Sequence, residues 1–368
     1  MMKILNIVGA RPNLMKIAPL CRAMTAHPRI NPVLVHTGQH YDGNLSGVFF
    51  EQLSIPLPDH HLGVGSGSRE EQIARITGAF APVLEDEKPD LVLVVGDVNS
   101  TIACARAARD NGVLVAHVEA GLRSFDPTMP EELNRRETDE IADFLFVTEP
   151  SGLENLAREK VHGQSWLVGN VMIDSVVYNL ERVHKSTILN TLSLDNGDYA
   201  LATFHRPSNV DNRADLLALI AVVRDICRRI NLVLPLHPRT RHSLNHHGLS
   251  GELESIAELT LTDPLGYLDF LKLVCDARAV ITDSGGIQEE TTYLGVPCFT
   301  MRENTERPVT VEEGTNVLVG GDRRHLLSEL ERVLDGRFKK GRVPDLWDGH
   351  SAERIVDILG GGLLTNSK

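Results

Sequence analysis

Short runs of apolar residues recur along the chain, and longer stretches with helical spacing separate them. The runs are nearly continuous in Val, Ile, Leu and Ala, as expected of strands buried on both faces of a parallel sheet. After the first run, Leu14, Ile17, Cys21 and Met24 recur at helical spacing. The pattern predicts strands at residues 4–8, 32–37, 91–95, 114–118, 144–148 and 166–168, and again at 199–203, 232–236, 259–262, 279–282, 297–300 and 316–319.

This alternation of strands and helices is typical of parallel sheets covered by helices, and it occurs twice. We therefore predict an α/β protein with two Rossmann-like domains whose parallel sheets face a central cleft. A polar stretch ending in Asp195-Asn196-Gly197-Asp198 separates the two halves. The predicted division is 1–171 for the N-terminal domain, 172–197 for a linker, 198–350 for the C-terminal domain and 351–368 for a helix that packs back on the first domain.

The composition narrows the class of partner. The 368 residues include 37 Lys+Arg and 50 Asp+Glu, so the formal charge is 37 − 50 = −13. This balance argues against nucleic acid or an anionic membrane as the partner, and an anionic ligand requires a local positive pocket. No apolar run approaches the roughly 18 residues of a membrane helix. The five cysteines are scattered, which is typical of reduced thiols and predicts a cytoplasmic protein.

The segment after the first predicted strand carries two cations. Arg11 and Lys16 lie at the start of the following helix, where the helix dipole favours an anion. The glycine spacing there is not that of a dinucleotide site. The two side chains either bind an anion or are ordinary surface charges.

Carboxylates follow the next strands of the first half. Asp97 comes just after strand 91–95 and either caps a helix or has a functional role. Glu119 comes directly after a buried strand, so it must meet a cation or take part in chemistry. Glu131 and Glu132 open a helix, where the dipole favours acids, so we expect a functional role for only one of them.

In the second half, cationic and small residues follow two strands. His205 and Arg206 stand at the end of strand 199–203 as paired donors to an anion. Ser284, Gly285 and Gly286 follow strand 279–282, and their spacing indicates a helix whose backbone N–H groups hold a phosphate. The acids one turn later suit a ribose diol, as in other nucleotide-binding folds.

Clusters of histidine do not indicate a metal site. His242 and His246 are four residues apart with His247 adjacent, but no third ligand has matching spacing. We predict a solvated loop there and at His60-His61, and no bound metal.

Taken together, these segments resemble the non-hydrolysing UDP-N-acetylglucosamine 2-epimerase family, and the resemblance covers nearly the whole chain. Each motif is weak alone, and their order makes them specific. The motifs are Gly9-Ala10-Arg11-Pro12, Gly38-Gln39-His40-Tyr41-Asp42, Gly96-Asp97, His117-Val118-Glu119-Ala120-Gly121-Leu122-Arg123, Met129-Pro130-Glu131-Glu132-Leu133-Asn134-Arg135, His205-Arg206, Thr282-Asp283-Ser284-Gly285-Gly286-Ile287-Gln288-Glu289-Glu290 and Thr305-Glu306-Arg307-Pro308.

The resemblance implies a GT-B fold, a UDP-sugar held between the domains, a homodimer, and no metal or nicotinamide cofactor. By motif position the family's catalytic groups correspond to Asp97, Glu119, Glu131 and His205. Its UDP-binding groups correspond to Arg11, Lys16, Ser284, Gly285, Gly286, Glu290 and Arg307, and we add Arg206 from its place beside His205.

The implied activity is that of an isomerase that interconverts UDP-GlcNAc and UDP-ManNAc through elimination of UDP, a 2-acetamidoglucal intermediate and re-addition. Alternatives are 2-epimerisation of a related sugar such as UDP-2,3-diacetamido-glucuronic acid, a hydrolysing relative that releases N-acetylmannosamine, a GT-B glycosyltransferase, or a non-enzymatic sugar-nucleotide sensor. The pathway served is not indicated by the sequence.

Two segments depart from the pattern of many bacterial members. Their histidine motif reads His-Arg-Arg-Glu or His-Arg-Glu-Asn, whereas here it reads His205-Arg206-Pro207-Ser208-Asn209. Those members bind a second substrate molecule as activator beside segments that correspond to residues 39–42 and 63–72. The latter is a glycine-rich, flexible loop by composition and differs from the bacterial pattern, which argues against substrate activation.

Overall fold

The alternation of buried strands and helices continues along the described chain and forms two parallel sheets. A computed structural model of the protein describes residues 1–39 and 43–361, with the backbone alone at 11, 43–46 and 48. These residues group into two compact units. The first comprises Met1–Tyr178 and the segment that begins at Asp345, and the second comprises Asn179–Pro344. None of the helices in these ranges is both long and apolar enough to cross a membrane.

The sheet of the first unit has the order β3-β2-β1-β4-β5-β6-β7, and all neighbouring strands run parallel. Its core lies on both faces of the sheet, because the central strands are apolar throughout. The strands are β1 (Met2–Val8), β2 (Ile30–His36), β3 (His60–His61), β4 (Leu91–Val95), β5 (Leu114–Ala120), β6 (Phe144–Val147) and β7 (Gln164–Leu167).

The sheet of the second unit has the order β10-β9-β8-β11-β12-β13 and is also parallel throughout. Numbered within the unit, this is the 3-2-1-4-5-6 order of the Rossmann fold. All twelve strands predicted from the sequence are confirmed. The strands here are β8 (Tyr199–Thr203), β9 (Asn231–Pro235), β10 (Leu259–Thr262), β11 (Ala279–Thr282), β12 (Cys298–Thr300) and β13 (Asn316–Leu318).

Helices connect the strands on both faces of each sheet, as parallel pairing requires. One of them, α7, begins in the first unit and ends in the second. In chain order they are α1 (Arg11–Ala26), α2 (Gly43–Gln52), α3 (Arg69–Glu87), α4 (Asn99–Asp110), α5 (Pro130–Ile141), α6 (Pro150–Glu159), α7 (Val171–His184), α8 (Ile188–Leu192), α9 (Pro207–Val210), α10 (Arg213–Cys227), α11 (Pro238–His246), α12 (Ser250–Glu254), α13 (Tyr267–Asp276), α14 (Gly285–Leu294), α15 (Pro308–Glu312), α16 (Arg323–Leu334) and α17 (Ser351–Gly360).

Two histidine pairs that the sequence places in solvated loops lie in regular elements instead. His60 and His61 form the short edge strand β3, and the ring of His61 stacks on that of His36 with centroids 4.9 Å apart. His242 and His246 lie in α11, where three residues on the other side of the helix are buried. Both loop predictions were wrong because packing on one face stabilises segments whose own sequence is polar.

The segments compared with the bacterial activator site differ in how much of them is described. Residues 40–42 lie outside the described residues. Of residues 63–72, predicted to be a flexible loop, the last four form the first turn of α3, which Ser68 caps by accepting a hydrogen bond from Glu71. The side chain of Gln72 then donates to the carbonyl of Gly65 at 2.9 Å and ties the loop to the helix.

The C-terminal segment returns to the first unit and packs α17 against α1. Asp174 accepts hydrogen bonds from the backbone N–H groups of Ser351 (3.2 Å) and Ala352 (2.6 Å), and so satisfies donors that the start of α17 leaves unpaired. The buried indole of Trp347 donates to the carbonyl of Thr148 at 3.1 Å. The segment is therefore an integral part of this unit.

Gly169 tests that integration. It lies beyond β7 with φ +88°, and a Cβ there would overlap the carbonyl oxygen of Leu346. Gly112 also has a positive φ, +71°, but a Cβ there would meet nothing within 4 Å. We expect Gly112→Ala to lower the free energy of unfolding by roughly 1–2 kcal/mol, because only the positive φ opposes the new side chain. Gly169→Ala must in addition displace the returning segment.

Thermal unfolding followed by circular dichroism gives the comparison. For a unit of this size 1 kcal/mol corresponds to about 2–4 °C, so we expect Gly169→Ala to lower the melting temperature at least twice as far as Gly112→Ala. Equal shifts would show that residues after Asp345 do not contribute to the stability of the first unit.

Candidate functional site

The strand order of each sheet reverses once, between β1 and β4 in the first unit and between β8 and β11 in the second. Ligands of open parallel sheets bind beyond the carboxyl ends of the strands at such a reversal, because the loops diverge there. The sequence-predicted residues lie on segments at or after these strand ends: Arg11 and Lys16 after β1, Asp97 after β4, Glu119 and Glu131 at and beyond the end of β5, His205 and Arg206 after β8, Ser284, Gly285, Gly286 and Glu290 after β11, and Arg307 after β12.

Glu119 is the penultimate residue of strand β5, whereas the sequence pattern placed it directly after the strand. The register against β6 shifts between Val118 and Ala120, which marks a β-bulge. Glu119 itself has φ +75°, a conformation rare for any residue but glycine. Bulges of this kind redirect a side chain at the edge of a sheet and occur often beside active sites. The side chain is therefore placed by a strained backbone.

The carboxylate of Glu119 pairs with the ammonium group of Lys16 on α1. Both residues are buried, 3% and 5% exposed. Gly96 leaves room for the pair, because a Cβ at this position would lie 3.1 Å from Lys16 Nζ and 3.4 Å from Glu119 Oε2. Of the two alternatives for Glu119, the structure shows the cation, and it joins a predicted catalytic carboxylate to a predicted UDP-binding lysine. The side chain of Arg11, at the start of the same helix, lies outside the described residues.

The carboxylate of Asp97 pairs with Arg135 on α5. The amide of Asn134, the preceding residue, donates to the backbone carbonyl of Asp97 at 2.9 Å. Arg135 is almost fully buried and makes a second ion pair with Glu132 at 3.1 Å. Sequence reasoning assigned no role to Arg135. Its signal was a charged residue one turn after Glu131, on the side of the helix that faces the sheet.

Glu131 and Glu132 have different surroundings, as expected if only one of them has a functional role. Glu132 is buried and accepts hydrogen bonds from the backbone N–H (2.7 Å) and hydroxyl (2.9 Å) of Ser124, so it holds the loop before α5. Glu131 is half-buried, and its carboxylate forms no hydrogen bond or ion pair with any residue that the structure describes. It is therefore the carboxylate available to a ligand.

In the second unit, buried Asp283 organises the end of β8. Its carboxylate accepts hydrogen bonds from the backbone N–H groups of His205 and Arg206 and pairs with His205 Nδ1 at 2.8 Å. Burial alone would raise the pKa of Asp283, but the bonds from His205, Arg206 and Asn209 hold it below its usual value. The imidazole is thus anchored through Nδ1, which leaves Nε2 for a ligand. Asp283 lies in one of the motifs above, but the sequence alone indicates no role for it.

The first backbone N–H groups of α14 have no partner within the helix, as at the start of any α-helix. Ser284 is its N-cap residue, and its side chain makes no capping hydrogen bond. Gly285 is closely covered by Arg307, because a Cβ at this position would lie 2.8 Å from Arg307 Nη1. The guanidinium group of Arg307 therefore lies beside the N-terminus of the helix. Together they suit an anion such as a diphosphate.

Two arginines in this unit have guanidinium atoms that are shielded from water. Arg307 is 6% exposed and pairs with Glu289 at 2.8 Å and with Glu306 at 3.5 Å. Arg206 is half-buried, and its Nε atom is shielded from solvent with no hydrogen-bond partner among the described residues. Buried donors nearly always have a partner, so an unsatisfied one beside His205 indicates a place for an anionic ligand.

Glu290 lies in the second turn of α14, after the glycines of this anion site, and is almost fully buried. Burial and the neighbouring carboxylate of Glu289 raise its pKa to about 8, against a smaller opposing effect of the Tyr267 hydroxyl. A neutral carboxyl group both donates and accepts hydrogen bonds, which suits a ribose diol.

The raised pKa of Glu290 makes stability depend on pH. The folded protein keeps a proton that the unfolded chain, with an ordinary glutamate pKa of about 4.3, releases, so the free energy of unfolding falls as pH rises towards about 8. The amide of Glu290→Gln is always neutral. We expect its melting temperature to fall less than that of the wild type between about pH 5 and pH 8.

Glu254→Gln is the matched control, since this exposed carboxylate lies in the same unit. It should follow the wild-type pH profile. A Glu290→Gln profile parallel to that of the wild type would contradict the neutral state of Glu290.

Comparisons with known proteins agree with one family. The family model described as UDP-N-acetylglucosamine 2-epimerase matches residues 22–360. The UDP-N-acetylglucosamine 2-epimerase of Methanococcus maripaludis is 40% identical over 98% of this chain and 99% of its own. The UDP-2,3-diacetamido-2,3-dideoxy-D-glucuronate 2-epimerase of Pseudomonas aeruginosa is 39% identical over 97% of this chain and 99% of its own.

Among solved structures, the crystal structure of Methanocaldococcus jannaschii UDP-GlcNAc 2-epimerase in complex with UDP-GlcNAc and UDP matches with a TM-score of 0.91. The two are 40% identical, and the match covers 98% of this chain and 100% of that one. The expected GT-B fold is confirmed. By its sequence along nearly the whole chain and by its fold, the protein belongs to the UDP-N-acetylglucosamine 2-epimerase family.

Proposed function

We propose that the protein is a non-hydrolysing UDP-GlcNAc 2-epimerase that interconverts UDP-GlcNAc and UDP-ManNAc. The observation that carries this proposal is that carboxylates for proton transfer lie in one unit and groups suited to bind a diphosphate lie in the other. Asp97 and Glu119 lie at strand ends of the first unit, each paired with a cation from a neighbouring helix, and Glu131 lies in the first turn of α5. A helix N-terminus with Arg307 beside it, suited to a diphosphate, lies in the second unit.

The reaction requires both kinds of group. The hydrogen at C2 of the hexose is not adjacent to a carbonyl, so removing it alone is unfavourable. A base takes this proton while the C1–O bond breaks and UDP departs, which leaves 2-acetamidoglucal. UDP then adds back to C1 as a proton is delivered to the opposite face of C2. Two faces require more than one proton-transferring group.

The residues of the first unit are proposed to handle the protons. Glu131 is free to accept or deliver one, whereas Glu119 is paired with Lys16 and Asp97 with Arg135. Ion pairing fixes their positions, and burial of Glu119 strengthens its interaction with charge that develops on the hexose. Lys16 thereby serves Glu119 as well as the UDP-binding role that the family resemblance implies.

The residues of the second unit are proposed to hold UDP and stabilise its departure. His205, anchored by Asp283, is the catalytic donor to the leaving diphosphate. The other proposed UDP-binding groups are Arg11, Lys16, Arg206, Ser284, Gly285, Gly286, Glu290 and Arg307. Removing one donor of this kind typically lowers the rate by about 100-fold or more.

A second candidate substrate is UDP-2,3-diacetamido-glucuronic acid. The relative named for this activity is 39% identical, nearly as similar as the relatives named for UDP-GlcNAc. The same elimination applies, since only C1 and C2 react. The two sugars differ at C3 and C5, so offering both to the purified protein distinguishes the candidates.

We also propose that the protein works as a homodimer in the cytoplasm. The family resemblance supports the dimer, and sedimentation velocity of the purified protein tests it. The five cysteines are free thiols, four of them buried, which suits a reducing compartment.

Incubation with UDP-GlcNAc in D2O, followed by NMR, tests the proposed reaction. We expect deuterium at C2 and accumulation of UDP-ManNAc. Free N-acetylmannosamine would instead indicate a hydrolase. Absence of exchange with either UDP-sugar would contradict an epimerase and favour a glycosyltransferase or a sugar-nucleotide sensor.

The same assay tests the carboxylates. We expect Asp97→Asn, Glu119→Gln and Glu131→Gln each to slow exchange at C2 by at least ~100-fold, because general acid–base groups contribute about this much. UDP affinity, measured by calorimetry, should stay near that of the wild type, since the phosphate-binding residues of the second unit are unaltered. Glu119→Gln should also unfold more easily, because Lys16 is left buried without its counter-ion.

Glu140→Gln is the control on the same helix. Glu140 is exposed and forms no ion pair within the described chain, so exchange should remain at the wild-type rate. Near-normal exchange in any of the three carboxylate variants would remove that residue from the catalytic set.

A further inference from the structure

One face of α5 is connected to all three candidate catalytic carboxylates. Residues 131, 135 and 139 are spaced by four, so their side chains line the same side of the helix. The first of them is Glu131 itself. The second, Arg135, pairs with Asp97. The third, Asp139, is completely buried and has no part in the chemistry described above.

Asp139 contacts the chain on both sides of Glu119. One carboxylate oxygen lies 2.7 Å from Nδ1 of His117, two residues before Glu119. The other accepts a hydrogen bond at 3.0 Å from the backbone N–H of Gly121, two residues after Glu119. It also accepts one from Arg123 at 2.7 Å. A single side chain thus spans the β-bulge that carries Glu119.

The connection extends to the neighbouring strand. Nε2 of His117 donates to the carbonyl oxygen of Gly96 at 2.8 Å, and Gly96 directly precedes Asp97. Through this buried imidazole, Asp139 is linked to the loop of one candidate carboxylate as well as to the strand end of the other.

The bulge requires such support. Glu119 has φ +75°, and strained conformations of this kind persist only where the surroundings determine them. Gly121 also has a positive φ, +80°, and packs so closely on Gly152 that a Cβ would overlap its carbonyl oxygen. Charged hydrogen bonds to Asp139 are stronger than neutral ones and fix the residues that flank the strain.

The charge of Asp139 fits this role. Burial by itself raises its pKa, but His117 and Arg123 outweigh burial and hold the pKa below its usual value. Asp139 therefore remains an acceptor at every bond it makes.

We propose that Asp139 is a positioning residue that holds Glu119, and through His117 the Gly96–Asp97 loop, in the geometry required for proton transfer at C2. The proposal rests on the proposed function. It separates Asp139 from residues that only stabilise the fold, because the contacts of Asp139 converge on the segments of two reacting groups.

Asp139→Asn tests it with almost no change in side-chain shape. The amide oxygen still accepts a bond from one partner, but the NH2 group cannot accept from the other. We expect kcat for C2 exchange to fall by about 100-fold, as for a misplacement of about 1 Å. KM and UDP affinity should stay within about threefold, since the phosphate-binding residues of the second unit are unaltered. A fall in kcat of less than about threefold would overturn the proposal.

Glu159→Gln is the matched control. Glu159 is the other carboxylate partner of Arg123, bonded to it at 3.0 and 2.6 Å, and no hydrogen bond or ion pair of the described chain joins it to His117 or Gly121. Its loss weakens the same ion-pair network without touching the bulge, so kcat should stay within about twofold of the wild type. If both variants lose kcat equally, Asp139 acts through general stability and the positioning role is wrong.

His117→Gln provides the second variant should Asp139→Asn fail to fold. It breaks the link between Asp139 and Gly96 and should lower kcat with UDP affinity retained, whereas unchanged kcat would contradict the proposal. A crystal structure of either variant is the readout that does not need activity. We expect Glu119 to leave its positive φ or to separate from Lys16, and an unchanged Glu119 would overturn the proposal.

The wild-type assay distinguishes failure of the proposed function from failure of the positioning role of Asp139. If the wild type exchanges no deuterium with any UDP-hexosamine, the proposed function fails. The crystallographic result at Glu119 then still decides whether Asp139 positions that residue.

Discussion

A charged side chain that leaves water must meet an opposite charge, and the first unit is organised by this requirement. Removing a carboxylate or ammonium group from water costs several kcal/mol even after relaxation, and leaving one partner unpaired costs about 3–5 kcal/mol. Lys16 on α1 meets Glu119 on β5, and Arg135 on α5 meets Asp97 beyond β4. The cations are carried by regular helices, so the positions of the two carboxylates follow from the packing of α1 and α5 on the sheet.

The same requirement shapes the second unit with the signs exchanged. Asp283 holds His205, and Glu289 and Glu306 hold Arg307 beside the start of α14. Contacts within the protein fix these donors in position, which reduces the reorganisation needed when charge develops on a departing diphosphate. A chain with a net charge of −13 thereby presents a local group of hydrogen-bond donors, as the proposed anionic ligand requires.

Much of the fold and part of the candidate site were predictable from local pattern. Buried parallel strands are nearly continuous apolar runs, and polar residues that follow them stand out, as Asp97 and His205 do. Partners distant in sequence do not show in such a pattern. Arg135 and Asp139 lie within a helix whose first-turn acids already had a simpler explanation, and only the packed structure shows what they contact. The bulge at Glu119 likewise depends on the register against β6.

Epimerisation by this route breaks and re-forms the bond between C1 and the diphosphate in each turnover. UDP-GlcNAc labelled with 18O in the bridge between C1 and the β-phosphorus tests it most directly, because a freed β-phosphate rotates and moves the label to non-bridging positions. We expect 31P NMR of substrate recovered before equilibrium to show this scrambling. A label that stays in the bridge while UDP-ManNAc forms would contradict it.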